Sequence, residues 1–357
     1  MRFVSPFLKK VLYPALAAAG VFRRGAALGL AVVTYHGVLP PGYEPVDAAF
    51  DGNLIPAEAL RRQLRLLKSN YKVISPEEAL AWRQGNFELP SRAVLLTCDD
   101  GLLNNLTDML PVLQQEDLRC LFFVTGASAE DRRSTEQRGT LWYEDLFLIF
   151  LRAPAGKFEV SGEGLSVCVE LNTREQRRAV WWNAVKRLSQ ADADARRAFL
   201  CTAARQAGID EARNIADQNS PSCRRFGLLT LPELRTLAGV GMTIGAHTMS
   251  HPVLSQMAPD SARQEIGECR AKLESVLQKP VWAFAYPFGD AASVTPQVLA
   301  LPQEAGFAAA FLNFGGGLGT ELPPYALPRI HVTAEMSPAE LEAHVSGCHE
   351  RLRRIAF

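Results

Sequence analysis

Short apolar runs of strand length recur along the chain at 31–35, 73–74, 93–98, 121–125, 242–246, 282–285, 307–312 and 327–332, and most are followed by helical spacing. The stretch 56–69 shows that spacing, with Leu60, Leu64 and Leu67 on one face. Ser75-Pro76-Glu77-Glu78 sets out a capping serine, a first-turn proline and a third-position glutamate, which marks a helix start. Ser337-Pro338-Ala339-Glu340 repeats the device and Thr230-Leu231-Pro232-Glu233 varies it. Strand then helix, repeated, predicts parallel strands joined by crossovers.

Between 127 and 226 the pattern breaks. A polar loop at 131–139 precedes a helix at 142–151. Phe158 and Val160, then Leu165, Val167 and Val169, alternate about Ser161-Gly162-Glu163-Gly164, as the strands of a hairpin do. From 174 to 208 the spacing is helical again, with Val180, Trp181, Ala184, Val185 and Leu188 on one side. The reading is an insertion at about 127–226, of small-domain size, folded over one rim of a main domain that spans 31–357. Trp142, Trp181 and Trp182 either pack it down or line a site.

Residues 1–30 read as a separate basic and apolar arm. Arg2, Lys9, Lys10, Arg23 and Arg24 bracket an apolar run at 11–22, and the first acidic residue is Glu44. The run is too short to span a bilayer. Pro14 interrupts it, and Arg23-Arg24 is an unusual start for a mature chain, which disfavours a cleaved signal peptide. A helix lying on the protein, or peripherally on an anionic inner membrane face, fits better.

Composition narrows the class. The chain has 357 residues, 48% of them hydrophobic, enough to bury one barrel-sized core. Thirty-eight basic residues balance thirty-eight acidic ones, so no broad basic surface marks a nucleic-acid binder. Seven cysteines lack Cys-x-x-Cys spacing and read as free thiols of a reducing, cytoplasmic compartment. Oligomeric state is not legible.

Chemistry concentrates at two strand ends. Asp99 and Asp100 follow 93–98 and precede Gly101. Two adjacent acids cannot both stay ionised and dry without a cation, a metal or solvent; a solvated Asp-Asp-Gly turn is the plain alternative. His247 and His251 follow the run 242–246. One helical turn brings i and i+4 to the same side, and two imidazoles with one carboxylate make a metal set with open positions.

Thr97-Cys98-Asp99-Asp100-Gly101 with His247-Thr248-Met249-Ser250-His251 resembles the first two motifs of the polysaccharide deacetylase family, which shares the NodB homology domain (carbohydrate esterase family 4-like). Phe284-Ala285-Tyr286-Pro287-Phe288-Gly289 looks like its next motif, and Leu327-Pro328-Arg329-Ile330-His331-Val332 falls where its last belongs. The resemblance implies a distorted, incomplete (β/α) barrel of about seven parallel strands, with the helical and hairpin insertion governing substrate choice. It implies a hydrolase removing N-acetyl groups from a polysaccharide, oligosaccharide or lipid-linked sugar precursor. A divalent ion, zinc foremost, would sit on Asp100, His247 and His251, with Asp99 as general base. Phe288 would supply an oxyanion donor, Tyr286 and Pro287 would shape its turn, and His36 would line the mouth or serve as a structural histidine.

Two departures stand out. Many members carry an arginine where this chain has Ala285, and the family's Asp-Trp motif is not evident near 311–317. Alternation puts Arg329 and His331 on one face, so Arg329 is the replacement cation and His331 the proton donor to the leaving amine, unless both face solvent. The competing function is a catalytically weakened carbohydrate-binding protein. His344 and His349 are expected to face solvent or a helix end, and Cys98 to serve packing.

Overall fold

The computed structural model describes residues 6–23, 29–129, 138–162, 165–209, 220–315 and 322–356. Parts of the expected 131–139 loop, the tip of the 161–164 turn and the 316–317 end of the glycine-rich loop lie outside the described residues.

Ten strands are present among the described residues: β1 Leu30–Tyr35, β2 Lys72–Ile74, β3 Ala93–Cys98, β4 Leu121–Val124, β5 Lys157–Gly162, β6 Leu165–Glu170, β7 Thr243–Ala246, β8 Ala283–Ala285, β9 Ala309–Gly315 and β10 Leu327–His331. Seven of them close a parallel barrel in the order β1-β10-β9-β8-β7-β4-β3, with β3 pairing back to β1. Short β2 adds to the lower half of β3. Closure is uneven, since β1 and β3 pair over six residues whereas β7 and β8 share only Ala246 opposite Phe284. The barrel is therefore distorted, as expected.

Period-two alternation divides each strand between two cores. Ala31, Val33, Val94, Leu96, Phe122, Phe284 and Ala310 pack outward beneath the helices. Leu30, Val32, Leu95, Leu121, Phe123, Ala285, Phe311 and Leu327 fill the interior. Continuing the inward parity to the carboxyl ends reaches Asp99, His247, Asn313, Arg329 and His331. Gly245 lies on the same inward set, and a Cβ there would stand 2.6 Å from the Phe123 ring, so only glycine fits.

Between β4 and β7 the chain builds helix Trp142–Arg152, the β5–β6 hairpin, and helices Arg174–Leu188 and Ala193–Gln206. Their apolar faces form a core of their own around Leu146, Phe150, Val160, Val185 and Phe199. The single helical stretch read at 174–208 divides at 189–192, where Asp192 caps the second helix by accepting from the Ala195 N–H.

The N-terminal arm is helical through Ala18 and docks on helices Pro338–Val345 and Cys348–Ala356. His349 corrects the sequence reading. It is buried, and its Nδ1 lies 2.6 Å from the Tyr13 hydroxyl; half-buried His344 stacks on it at 4.0 Å between centroids. Burying Tyr13 against the last helix draws that histidine inward. None of the seven cysteines forms a disulfide among the described residues, and Cys98 is wholly buried in the outer core. Among the described residues no helix is long and apolar enough to cross a membrane.

Candidate active site

Asp99 and Asp100 leave β3 in different directions. Asp99 keeps the inward parity, while Asp100 adopts φ +79°, which turns its carboxylate toward the β7 loop. Such a conformation costs about 1–2 kcal/mol in a non-glycine residue. Asp100, Thr248, His251 and Phe288 all have φ near +60 to +79°, and all four belong to the motifs at this mouth.

The histidines converge by a different route from a helical turn. Residues 247–251 form a bend in which Thr248 and His251 are left-handed and the His251 N–H donates to Thr248 Oγ1 at 3.0 Å. His247 Nδ1 lies 2.7 Å from the Ala285 carbonyl oxygen, which leaves Nε2 for the site. His247 Nε2 and His251 Nε2 approach Asp100 Oδ1 at 3.6 and 3.3 Å. One donor atom from each of the three residues falls within 4.8 Å of the others, and all three residues are buried. Burial works against ionised Asp100, yet the two imidazoles hold its carboxyl well below the usual range; His251 is lowered chiefly by burial.

Arg329 reaches Asp99 through the barrel interior. Its two terminal nitrogens meet Asp99 Oδ1 and Oδ2 at 2.7 and 2.5 Å. Nε donates to the Leu312 carbonyl at 2.7 Å, and a terminal nitrogen also donates to Thr97 Oγ1 at 3.2 Å. Its guanidinium carbon lies 5.3 Å from the Phe123 ring centroid. Arg329 thus supplies the cation beside Asp99 that Ala285 cannot, from a strand two places along the sheet. Burial alone would raise the Asp99 pKa, but the arginine overrides it and the carboxyl sits below its ordinary value.

A cavity of about 390 Å³ opens over these groups, lined on the barrel side by His36, Asp99, Asp100, His247, His251 and His331. His36 and His331 rings stand 4.8 Å apart, and His36 Nδ1 and His331 Nε2 are buried without a partner among the described residues. Burial first, then His36, pushes the His331 pKa down to about 3, so the ring is neutral at rest. Phe288 also lines the cavity, with its ring 4.8 Å from that of His251. Tyr286 and Pro287, grouped with it from sequence, do not. The Tyr286 side chain points into the outer core, where its hydroxyl donates to the Tyr325 carbonyl at 2.8 Å, because the residue falls on the outward parity of β8.

On the insertion side the sequence singled out the tryptophans but not Tyr143, Glu144 or Arg225. Tyr143 packs on His251 at 4.7 Å, and Trp182 meets Phe288 at 5.2 Å. Wholly buried Arg225 lies 2.8 Å from Asp51 and 3.0 Å from Glu144, and both Arg225 and Glu144 line the cavity. Trp142 is an anchor, donating from Nε1 to the Ser250 carbonyl at 2.8 Å, whereas Trp181 and Trp182 line the cavity. Asn313, at the inward end of β9, completes the rim. Only its strand parity marked it in the sequence.

Residues 173–310 match the sequence profile described as polysaccharide deacetylase. The match spans less than half of the chain. The match covers the histidine motif and the 284–289 turn, while Asp99, Asp100 and Arg329 lie outside it and meet it only in space. Among solved structures, the Streptococcus pyogenes deacetylase PplD in complex with acetate shares 18% identity, covers 89% of this chain and 98% of its own, and gives a TM-score of 0.55. IcaB from Ammonifex degensii shares 18% identity over 89% and 97% with a TM-score of 0.53. A de-N-acetylase from Aggregatibacter actinomycetemcomitans shares 13% over 88% and 99% with a TM-score of 0.54. These likenesses establish the fold. No curated protein matches the chain.

Proposed function

We propose that this protein is a polysaccharide deacetylase-type enzyme, a metal-dependent hydrolase that removes N-acetyl groups from an N-acetylated polysaccharide, oligosaccharide or lipid-linked sugar precursor. The observation that carries the reading is the two-point grip of Arg329 on Asp99, immediately beside the converging donors of Asp100, His247 and His251.

Two imidazole nitrogens and one carboxylate oxygen, buried and close together, fit a divalent transition ion, and zinc suits this donor set. Such an ion, when bound, supplies a Lewis acid for an amide carbonyl and lowers the pKa of water. The protein's own residues provide the rest. Asp99 is held ionised by Arg329 and so can take a proton from the attacking water. Its rotamer is fixed by both nitrogens of the guanidinium, which a lysine would not reproduce. The Phe288 N–H, which no described residue accepts, is the oxyanion donor. His331, neutral at rest, must gain a proton before it gives one, so it relays the proton from Asp99 to the leaving amine rather than supplying one of its own. His36 and Asn313 contact the sugar, and Tyr143, Trp181 and Trp182 of the insertion choose among sugars. The reading as a weakened carbohydrate binder rests on Ala285, and the position of Arg329 speaks against it.

The test is acetate release from N-acetylglucosamine oligomers by protein of measured metal content. Chelation should abolish release and re-addition of zinc should restore it. Release that survives complete metal removal would overturn the proposal.

A further inference from the structure

The neutral composition conceals a strong separation of charge. Eight of the 38 basic residues lie in residues 1–43 and 351–357, and none of the 38 acidic ones does. The remaining 307 residues therefore carry a net charge of minus eight and the two terminal segments together plus eight. The described arm, 6–23, and the last helix meet on one flank. Tyr13 and Phe22 bury against Ala343, with Leu16, Cys348 and Leu352 packed around them, and the Tyr13 hydroxyl meets His349.

That docked side leaves an outer side that no described residue covers. Four large hydrophobic residues are exposed among the described residues, and three of them are in this arm: Phe7 at 61%, Val11 at 53% and Val21 at 38%. Phe7 and Val11 are four residues apart in a continuous helical run, so they share a face. Exposed Lys10 sits beside them, Arg23 is half-exposed despite its contact with Glu342, and Arg351 is exposed on the neighbouring helix. Lys9 is differently used, pairing with Glu340 at 3.0 Å to hold the arm down.

We propose that this flank is a docking surface for an anionic lipid bilayer. Apolar side chains on one helix face beside exposed Lys10, with exposed Arg23 and Arg351 on the same flank, match the boundary between headgroups and acyl chains. Each cation near an anionic surface adds about 1 kcal/mol, so several acting together make binding strong at low salt and weak at high salt. A nucleic-acid partner would leave the exposed Phe7 and Val11 without a role. The arm contributes no residue to the cavity, so docking and hydrolysis are separable.

The experiment is co-sedimentation of the full chain with vesicles of phosphatidylcholine alone and of phosphatidylcholine containing phosphatidylglycerol, at low and high salt. Binding is expected only to the anionic vesicles, falling at least about tenfold at high salt and in the double variant F7E/V11E, while melting temperature, metal content and release from soluble oligomers stay as in the wild type. K10E should weaken binding to a smaller degree. Equal binding to both vesicle types, failure to bind anionic vesicles, or unchanged binding by F7E/V11E would each overturn the proposal. So would a concentration-dependent dimer abolished by F7E/V11E, which would assign the face to a second copy.

Discussion

The barrel side and the insertion side of the cavity each hold one arginine that is only 1% exposed, Arg329 and Arg225, and each grips carboxylate. Their charge balance differs. Arg329 meets one acid, Asp99, which lines the cavity while the arginine lies beneath it in the barrel interior. Arg225 meets two, Asp51 and Glu144, and Asp51 is enclosed by donors of its own from the Tyr43 hydroxyl and the Val46 and Asp47 amides. A buried ion pair contributes little net stability, since desolvation offsets much of the attraction, but removing one partner is severe. The device is the same and the use is not: in the proposed reading Arg329 sets the general base, while Arg225 ties the helix that carries Tyr143 and Glu144 to the loop of Asp51.

The comparison breaks most easily at the barrel side. In the Asp100→Ala or His247→Ala variant only two protein ligands remain, so metal affinity should fall by more than the 10- to 100-fold typical of a lost supporting hydrogen bond, with turnover lost alongside. Metal content by mass spectrometry decides it, and full stoichiometry would remove these residues from the site.

Arg225→Met should act on stability instead. Two buried acids would lose their cation, at roughly 3–5 kcal/mol by denaturant unfolding, while the folded fraction keeps its metal and most of its kcat. Arg329→Lys should do the reverse. Metal stays, but kcat drops by about 10²-fold because one-point contact leaves the base unfixed. Since the arginine holds the Asp99 pKa down, its loss should also move the acidic limb of the pH–rate profile upward.

The smallest effect concerns His331. Its folded pKa lies below the unfolded value, so the unfolded chain binds the extra proton first and stability falls as pH drops from about 6.5 toward 3. Between pH 6.5 and 5 the metal-free protein should lose about 2 kcal/mol through this residue alone. Unfolding curves at the two pH values should show that loss in the wild type and its absence in His331→Asn.

The barrel side was partly legible because strand alternation is local and regular: it puts Arg329 and His331 on one face, while only the closed sheet shows that this face is the inward one that Asp99 shares. The two-histidine spacing pointed to residues that do converge, but by a route other than the helical turn, since a bend with two left-handed residues brings them together. Tyr286, grouped with Phe288 by the motif, turns its side chain to the outer core because parity sends neighbours to opposite faces. The insertion side escaped because Asp51, Glu144 and Arg225 are separated by tens of residues and meet only after three loops have packed. No local pattern marks an arginine as buried when its partners are that remote.

The most direct test of the account is the Asp99→Asn variant, which keeps the shape of the side chain and its place beside Arg329 but removes the base. Metal content should stay at the wild-type level while acetate release from N-acetylglucosamine oligomers falls by about 10²- to 10⁴-fold, the range of a lost general base. Wild-type release at unchanged metal content would contradict it.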